Sequence, residues 1–237
     1  MNIIVTGASQ GIGSEVVKSF GAGKGNKVIG IARNKKRLVD LADLIGTFQE
    51  GAEIVPVPFD LSKTDRIKRD LVPVIEKHMN CVDILINNAG FLTRKSFQTT
   101  TLADVEMSFT VNFIAPYFLI QGLMDGLLAS NHPHILNISS MGGFQGSVKF
   151  EGLSAYSASK AALACLTECL AAEFRETQIA INCLAIGSVR TEMLEEAFPG
   201  YTAPVSPLEM AGFIKDFAIN GYRYFRGKII PVAYTTP

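Results

Sequence analysis

Tyr156 and Lys160 stand four residues apart, a spacing that sends both side chains out from one face of a helix. A free phenol titrates near ~10, too high to exchange protons at neutral pH, and a neighbouring ammonium favours the phenolate. The pair is a candidate proton carrier; a surface tyrosine with an unrelated lysine has the same spacing. Ser139 and Ser140 close an apolar run that begins at His134. Strand alternation turns their hydroxyls to opposite faces, so only one can meet the tyrosine. At the other end of the chain, Gly7, Gly11 and Gly13 follow the run Ile3-Ile4-Val5. Gly7 frees a sharp turn, Gly11 lets backbone approach a phosphate, and Gly13 lets the next helix lie close to a sheet. A helix opening there presents free N–H groups and a positive dipole end to an anion. A plain tight turn is the other reading of the same glycines.

Positioning such groups requires a regular frame. Runs at 3–5, 27–32, 53–58, 82–86, 134–139, 179–184 and 228–232 read as strands, and helical patterns at 11–22, 35–48, 62–79, 101–129, 153–176 and 207–218 alternate with them. That alternation predicts an α/β fold: one doubly wound, Rossmann-like domain over 1–237, with a seven-stranded parallel sheet and helices on both faces. The stretch 187–207 has little period and carries Pro199, Gly200, Pro204 and Pro207, which makes it a candidate substrate lid.

Composition narrows the function. Lys+Arg and Asp+Glu are equal at 22 each, so net charge selects neither nucleic acid nor an acidic membrane as partner. The most apolar window, 113–129, is broken by Pro116, Gln121 and Asp125 and falls short of a membrane span. Cys81, Cys165, Cys169 and Cys183 form no C-x-x-C pair; they are read as buried thiols, with no metal site. The chain opens on the glycine turn without an apolar leader, so a cytoplasmic location is expected.

Five motifs occur in order: Thr6-Gly7-x-x-x-Gly11-x-Gly13, Asn87-Asn88-Ala89-Gly90, Asn137-Ile138-Ser139-Ser140, Tyr156-x-x-x-Lys160, and the segment from Asn182 to Thr191. Together they resemble the short-chain dehydrogenase/reductase family. The resemblance implies an oxidoreductase that moves hydride between a nicotinamide and a carbonyl or secondary alcohol of a small or medium apolar substrate, such as a 3-oxoacyl compound or another ketone. Catalytic positions carry over to Asn112, Ser140, Tyr156 and Lys160, with Ser139 as the alternative serine. Cofactor-binding positions carry over to Gly7, Ser9, Gln10, Gly11, Ile12, Gly13, Arg33, Asp60, Leu61, Asn88, Ala89, Gly90, Tyr156, Lys160, Val189 and Thr191.

Asn112 has a reason of its own. Pro116 lies four residues on and has no N–H, so an α-helical carbonyl at 112 loses its partner and can hold a water; a simple proline kink would look the same. The second strand ends Ala32-Arg33, with no acid for a ribose and a guanidinium suited to a 2′-phosphate. NADP(H) is therefore favoured over NAD(H), although Gln10 stands where many NADP(H) members carry a basic residue. The small residues Ala155, Ser157, Ala158, Ala161, Ala162 and Ala164 permit close approach of two helices between subunits, as a homodimer or homotetramer would need; tight packing on the chain's own sheet would use the same residues. Ile186 replaces the usual Pro, and the C-terminal V-D-G-G is missing. The interval from Ser140 to Tyr156 is longer than usual, and its excess in 143–152 is expected to shape the substrate mouth. Phe91, Phe97, Phe144, Phe150, Met193, Phe198 and Tyr201 should give that mouth an apolar lining. An NAD(H)-dependent alcohol dehydrogenase and a non-catalytic dinucleotide-binding regulator are the competing readings; the Tyr-Lys pair opposes the regulator.

Overall fold

A computed structural model describes residues 1–47 and 52–234. Seven strands, β1 (Asn2–Thr6), β2 (Lys27–Ala32), β3 (Glu53–Pro58), β4 (Ile84–Asn87), β5 (His134–Ser140), β6 (Ala180–Ile186) and β7 (Ile229–Val232), form one sheet in the order β3-β2-β1-β4-β5-β6-β7. Every pairing is parallel. The winding reverses between β1 and β4, and in such sheets the crevice beyond the carboxyl ends at that point takes the ligand.

Central strands are apolar on both faces because helices cover both. Ile3 and Val5 of β1 pack with Val16, Val17 and Phe20 of α1 (Gly11–Gly21), Leu38 and Leu41 of α2 (Lys35–Gly46), and Met210 and Ile214 of α9 (Pro207–Asn220). Ile4 points the other way, into a core shared with Ile75 of α3 (Val72–Glu76), Leu119 and Ile120 of α5 (Ala115–Gly122) and Leu127 of α6 (Met124–Leu128). α7 (Ser154–Glu173) lies against β5 and β6 on that second face. The fold class agrees with the pattern of the sequence.

Two expected helices are broken. Instead of one helix over 62–79 there is a 3-10 turn (Thr64–Arg66), a π-helical turn (Ile67–Leu71) and then α3. Instead of one over 101–129 there are α4 (Leu102–Phe109), a π-helical turn (Thr110–Ile114), α5 and α6. Pro73 and Pro116 sit at the first turn beyond each π segment, where neither can donate to the carbonyl four residues back. α2 ends at Gly46, and position 48 of the expected helix lies outside the described residues. The stretch 187–207 carries a short helix, α8 (Glu192–Ala197), capped by the Thr191 side chain, and an isolated bridge pairs Val189 with Val205.

Of the four cysteines only Cys183 is buried; Cys81 is half-buried and Cys165 and Cys169 are exposed. The expectation of four buried thiols is corrected: α7 turns Lys160, Leu163, Leu166 and Thr167 inward, which leaves 165 and 169 on its outer face. Among the described residues no helix is long and apolar enough to cross a membrane.

Candidate active site

The ends of β1 and β4 are knitted together before any other group joins them. Thr6 Oγ1 accepts from the backbone N–H groups of Asn88 and Ala89, each at 3.0 Å, and Asn88 Nδ2 donates to the Thr6 carbonyl at 2.9 Å. The glycine loop turns tightly over this knot, with Gly7 at φ +69° and Gly11 at +56°. A Cβ on Gly7 would lie 2.9 Å from Ala89 Cα, and one on Gly13 would overlap the Gly7 carbonyl. A Cβ on Gly11 would meet the Thr191 methyl at 3.3 Å, so the loop and the start of α8 face each other across the crevice.

Beyond β2, Arg33 is exposed. Burial pushes the Asp60 carboxyl up, but bonds from Ser62 and the charges of Arg33 and Lys63 outweigh it and hold the group below its ordinary value. Arg37 is the guanidinium that reaches the glycine loop. Its Nη1 donates to Gln10 Oε1 at 2.5 Å and forms an ion pair with Glu192 at 3.1 Å, linking α2, the loop and α8. Only its membership in the basic run Lys35-Lys36-Arg37 behind Arg33 could have suggested it.

Asn112 is fully buried within the π-helical turn. Its Oδ1 accepts from the Phe91 N–H at 2.8 Å, and its Nδ2 donates to the Phe91 carbonyl and to Ser159 Oγ, both at 2.9 Å. The side chain thereby fixes the segment after Gly90 to α7, a task that sequence reasoning missed. A second buried chain, Asn87 Nδ2 to Asn137 Oδ1 (2.8 Å) and Asn137 Nδ2 to Thr167 Oγ1 (2.9 Å), ties β4, β5 and α7.

On this frame Lys160 is almost wholly buried and donates from Nζ to the Ile138 carbonyl at 2.8 Å. Burial pushes its ammonium down to about 8. Ser139 is buried and donates to the Lys160 carbonyl at 2.8 Å, so it fastens α7 to β5. Ser140 faces the other way, accepts from the Gly142 N–H at 3.2 Å, and is a hydrogen-bonding neighbour of Tyr156. The Lys160 Nζ lies 6.0 Å from the Tyr156 ring centroid and near Gly90, where a Cβ would meet it at 3.5 Å. Burial raises the Tyr156 phenol above its ordinary value, and the Ser140 bond only partly opposes it. This reverses the direction expected from a neighbouring ammonium: in this structure Lys160 spends its bond on Ile138, and desolvation of the phenol dominates.

A cleft of about 570 Å³ opens between the segment after Gly90, the 143–152 segment and α8, lined by Thr93, Arg94, Lys95, Glu151, Met193 and Glu196 among others. Its lining includes none of Ser140, Tyr156 and Lys160, and of the residues expected to give the substrate mouth an apolar lining it holds Met193. Phe97, Phe144 and Phe150 line a second hollow of about 1460 Å³ against the outer face of α7, which adjoins the first at Ser96, Glu151 and Gly152. Phe150 and Phe198 pack edge to face, with ring centroids 6.4 Å apart. Tyr201 pairs with Ser188 at 3.0 Å.

The family model for short chain dehydrogenase matches residues 1–202. The chain belongs to the short-chain dehydrogenase family. This short-chain dehydrogenase is 34% identical over 205 residues to a fatty acyl-CoA reductase of Mycobacterium tuberculosis, covering 85% of its own length and 68% of the relative. It is 32% identical to a fatty acyl-CoA reductase of Acinetobacter baylyi, covering 89% and 70%. The matches span 58–70% of the first curated relatives' lengths. Among solved structures it is similar to a dehydrogenase/reductase from Sinorhizobium meliloti, at 27% identity and a TM-score of 0.85 over 98% of this chain and 93% of the other.

Proposed function

We propose that this short-chain dehydrogenase is an NADP(H)-preferring carbonyl reductase in which Tyr156 is the acid, Ser140 orients the carbonyl, and Lys160 and Asn112 organise the site behind them. The observation that carries the reading is the Tyr156–Ser140 neighbourhood with the Lys160 ammonium buried beside it.

The crevice fits a dinucleotide. Two positive-φ glycines and a third position with no room for a Cβ leave a loop whose backbone can lie against phosphates at the opening of α1. Gly7, Ser9, Gln10, Gly11, Ile12 and Gly13 would hold the pyrophosphate side, and Asp60 and Leu61 the adenine. Asn88, Ala89, Gly90, Val189 and Thr191, with Tyr156 and Lys160, would hold the nicotinamide half. Arg33 supports the preference for a 2′-phosphate. A bound nicotinamide dinucleotide supplies or accepts the hydride.

Tyr156 then holds the proton at its phenolic oxygen and gives it to the substrate oxygen, while the Ser140 hydroxyl donates a hydrogen bond to the same oxygen. Lys160, charged below about pH 8, stabilises the phenolate left behind. The segment 187–207 acts as the lid, and the small-residue outer face of α7 supports a homodimer or homotetramer.

Tyr156→Phe tests the reading with a panel of ketones and thioesters and NADPH oxidation as readout. Cofactor binding should persist as a thermal stabilisation of about 2.7 kcal/mol at a hundred times the dissociation constant, while turnover falls ~10²–10⁴-fold. Near-wild-type turnover in the variant would overturn it.

A further inference from the structure

We infer that Arg94 selects the substrate of this site: its guanidinium binds an anionic group, carboxylate or phosphate, carried by the carbonyl compound. The inference rests on the oxidoreductase reading and adds the chemical class of the substrate.

Three contacts hold Arg94 in place. Its guanidinium carbon lies 4.4 Å from the centroid of the Phe198 ring. Its Nη1 donates to the Ala197 carbonyl at 3.3 Å. Its Cγ lies where a Cβ on Gly152 would come within 2.9 Å, at a glycine with φ +80°, and the adjacent Lys95 N–H is bonded to the Gly152 carbonyl at 3.0 Å. Stem, ring face and one N–H of this exposed side chain are thus met by two segments around the cleft, Gly152 and the end of α8 at Ala197–Phe198. A guanidinium held this way has already lost most of the rotamer freedom that binding would otherwise remove.

The charge is also uncommitted. Arginine carries five N–H donors in a planar fork, and among the described residues one of them is taken, by the Ala197 carbonyl. Among the described residues no carboxylate lies within ion-pair distance of Arg94, whereas the neighbouring Lys95 is neutralised by Asp104 at 2.7 Å. Glu151 and Glu196 share the cleft, but both are exposed and neither is held by a hydrogen bond or ion pair among the described residues, so they can turn to water. A fork of this shape matches a carboxylate or phosphate with two parallel bonds. Its place is apt: Arg94 follows Gly90 by four residues, on the segment that Asn112 fixes beside Lys160.

The test is a matched set of acetoacetyl thioesters, one on neutral N-acetylcysteamine, one on phosphopantetheine, one on a mercaptocarboxylate and one on an aminothiol bearing an ammonium. Each is assayed for kcat and KM with NADPH at low and high salt. The wild type should favour the two anionic thioesters. Arg94→Met, which keeps a long stem against Phe198, should lose roughly 10–100-fold in kcat/KM for them, mostly through KM, the range charge-assisted hydrogen bonds give. The neutral thioester should change less than about threefold, and Arg94→Lys should recover part of the loss, as the retained charge predicts. Comparing the two anions tells which source the site prefers.

Equal losses for neutral and anionic thioesters, or a wild-type preference for the ammonium, would overturn the inference. If no thioester turns over, calorimetric binding of phosphopantetheine and butanoate to the NADP⁺-mixed wild type and Arg94→Met decides it: Arg94-dependent binding supports it and its absence refutes it. Absence of NADPH binding and turnover in the wild type would instead refute the parent reading. Should Arg94→Met fail to fold, Arg94→Lys and Phe198→Leu carry the same comparison.

Discussion

Replacing Lys160 by methionine keeps a long stem and removes a charge that the fold holds at a penalty. Burial lowers the ammonium from 10.5 to about 8. At about 1.36 kcal/mol per unit, carrying that charge at pH 7 costs the native state roughly 3 kcal/mol relative to the unfolded chain. The methionine variant escapes this cost but leaves the Ile138 carbonyl without the donor that reaches it at 2.8 Å, a loss of about 1–3 kcal/mol. Near pH 7 the variant should therefore equal the wild type or exceed it by up to ~2 kcal/mol, although turnover collapses. The sign then turns with pH. As pH rises from about 8 towards 10.5 the native wild type has released its proton while the unfolded chain still holds one, so the wild type gains stability and the variant does not. Urea unfolding at pH 7 and pH 10 should show the variant-minus-wild-type difference swing by about 2–3 kcal/mol against the variant. The same difference at both pH values would refute the assignment of the strain to the charge.

Other outcomes can be checked with the same protein. His134, fully buried with Nδ1 on the Ala218 carbonyl at 2.9 Å and Nε2 on Asn182 Nδ2 at 3.0 Å, is pushed by burial from 6.5 to about 4. Stability should consequently fall by about 3 kcal/mol as pH drops from 6.5 to 4, and denaturant titrations showing no slope in that window would contradict it. Ser140→Ala should cut turnover at unchanged melting temperature, whereas Ser139→Ala should lower the melting temperature by loosening α7; kinetics and calorimetry on the two variants separate these effects. Arg33→Ala should weaken NADPH by roughly 10–100-fold and spare NADH, with Arg37→Ala, already engaged by Gln10 and Glu192, affecting NADPH less; the reverse ranking in binding titrations would move the 2′-phosphate to Arg37.

The parallel sheet and the alternation of its strands with helices were legible because each strand is a short β-branched run and each crossover a longer amphipathic one. The opposite facings of Ser139 and Ser140 followed from strand alternation alone. What the sequence hid depends on side chains meeting across elements. Nothing local in Asn112 says that its amide will clamp Phe91 and Ser159. Nothing in the basic run at 35–37 singles out Arg37 over its neighbours. Pro73 and Pro116 were visible, yet their effect, a π-helical turn placed before each, depends on how the flanking helices pack. The direction of the Tyr156 shift was misjudged for a related reason: spacing reports the neighbouring charge and is silent on desolvation, which here is larger.

The π-helical turn at Thr110–Ile114 holds one residue more than an α-helical turn would, and it absorbs that surplus within one turn, so the helices on either side keep their phase. Each residue advances an α-helix by about 100°. Deleting one position from this turn and letting it relax to α geometry would leave α5 in phase, with Leu119 and Ile120 still on the core, whereas a deletion inside α4 or α5 would swing all the helical residues beyond it by that angle. A single-residue deletion should thus be better tolerated within 110–114 than in the flanking α4 or α5, because the turn already stores the surplus residue that a change of length removes.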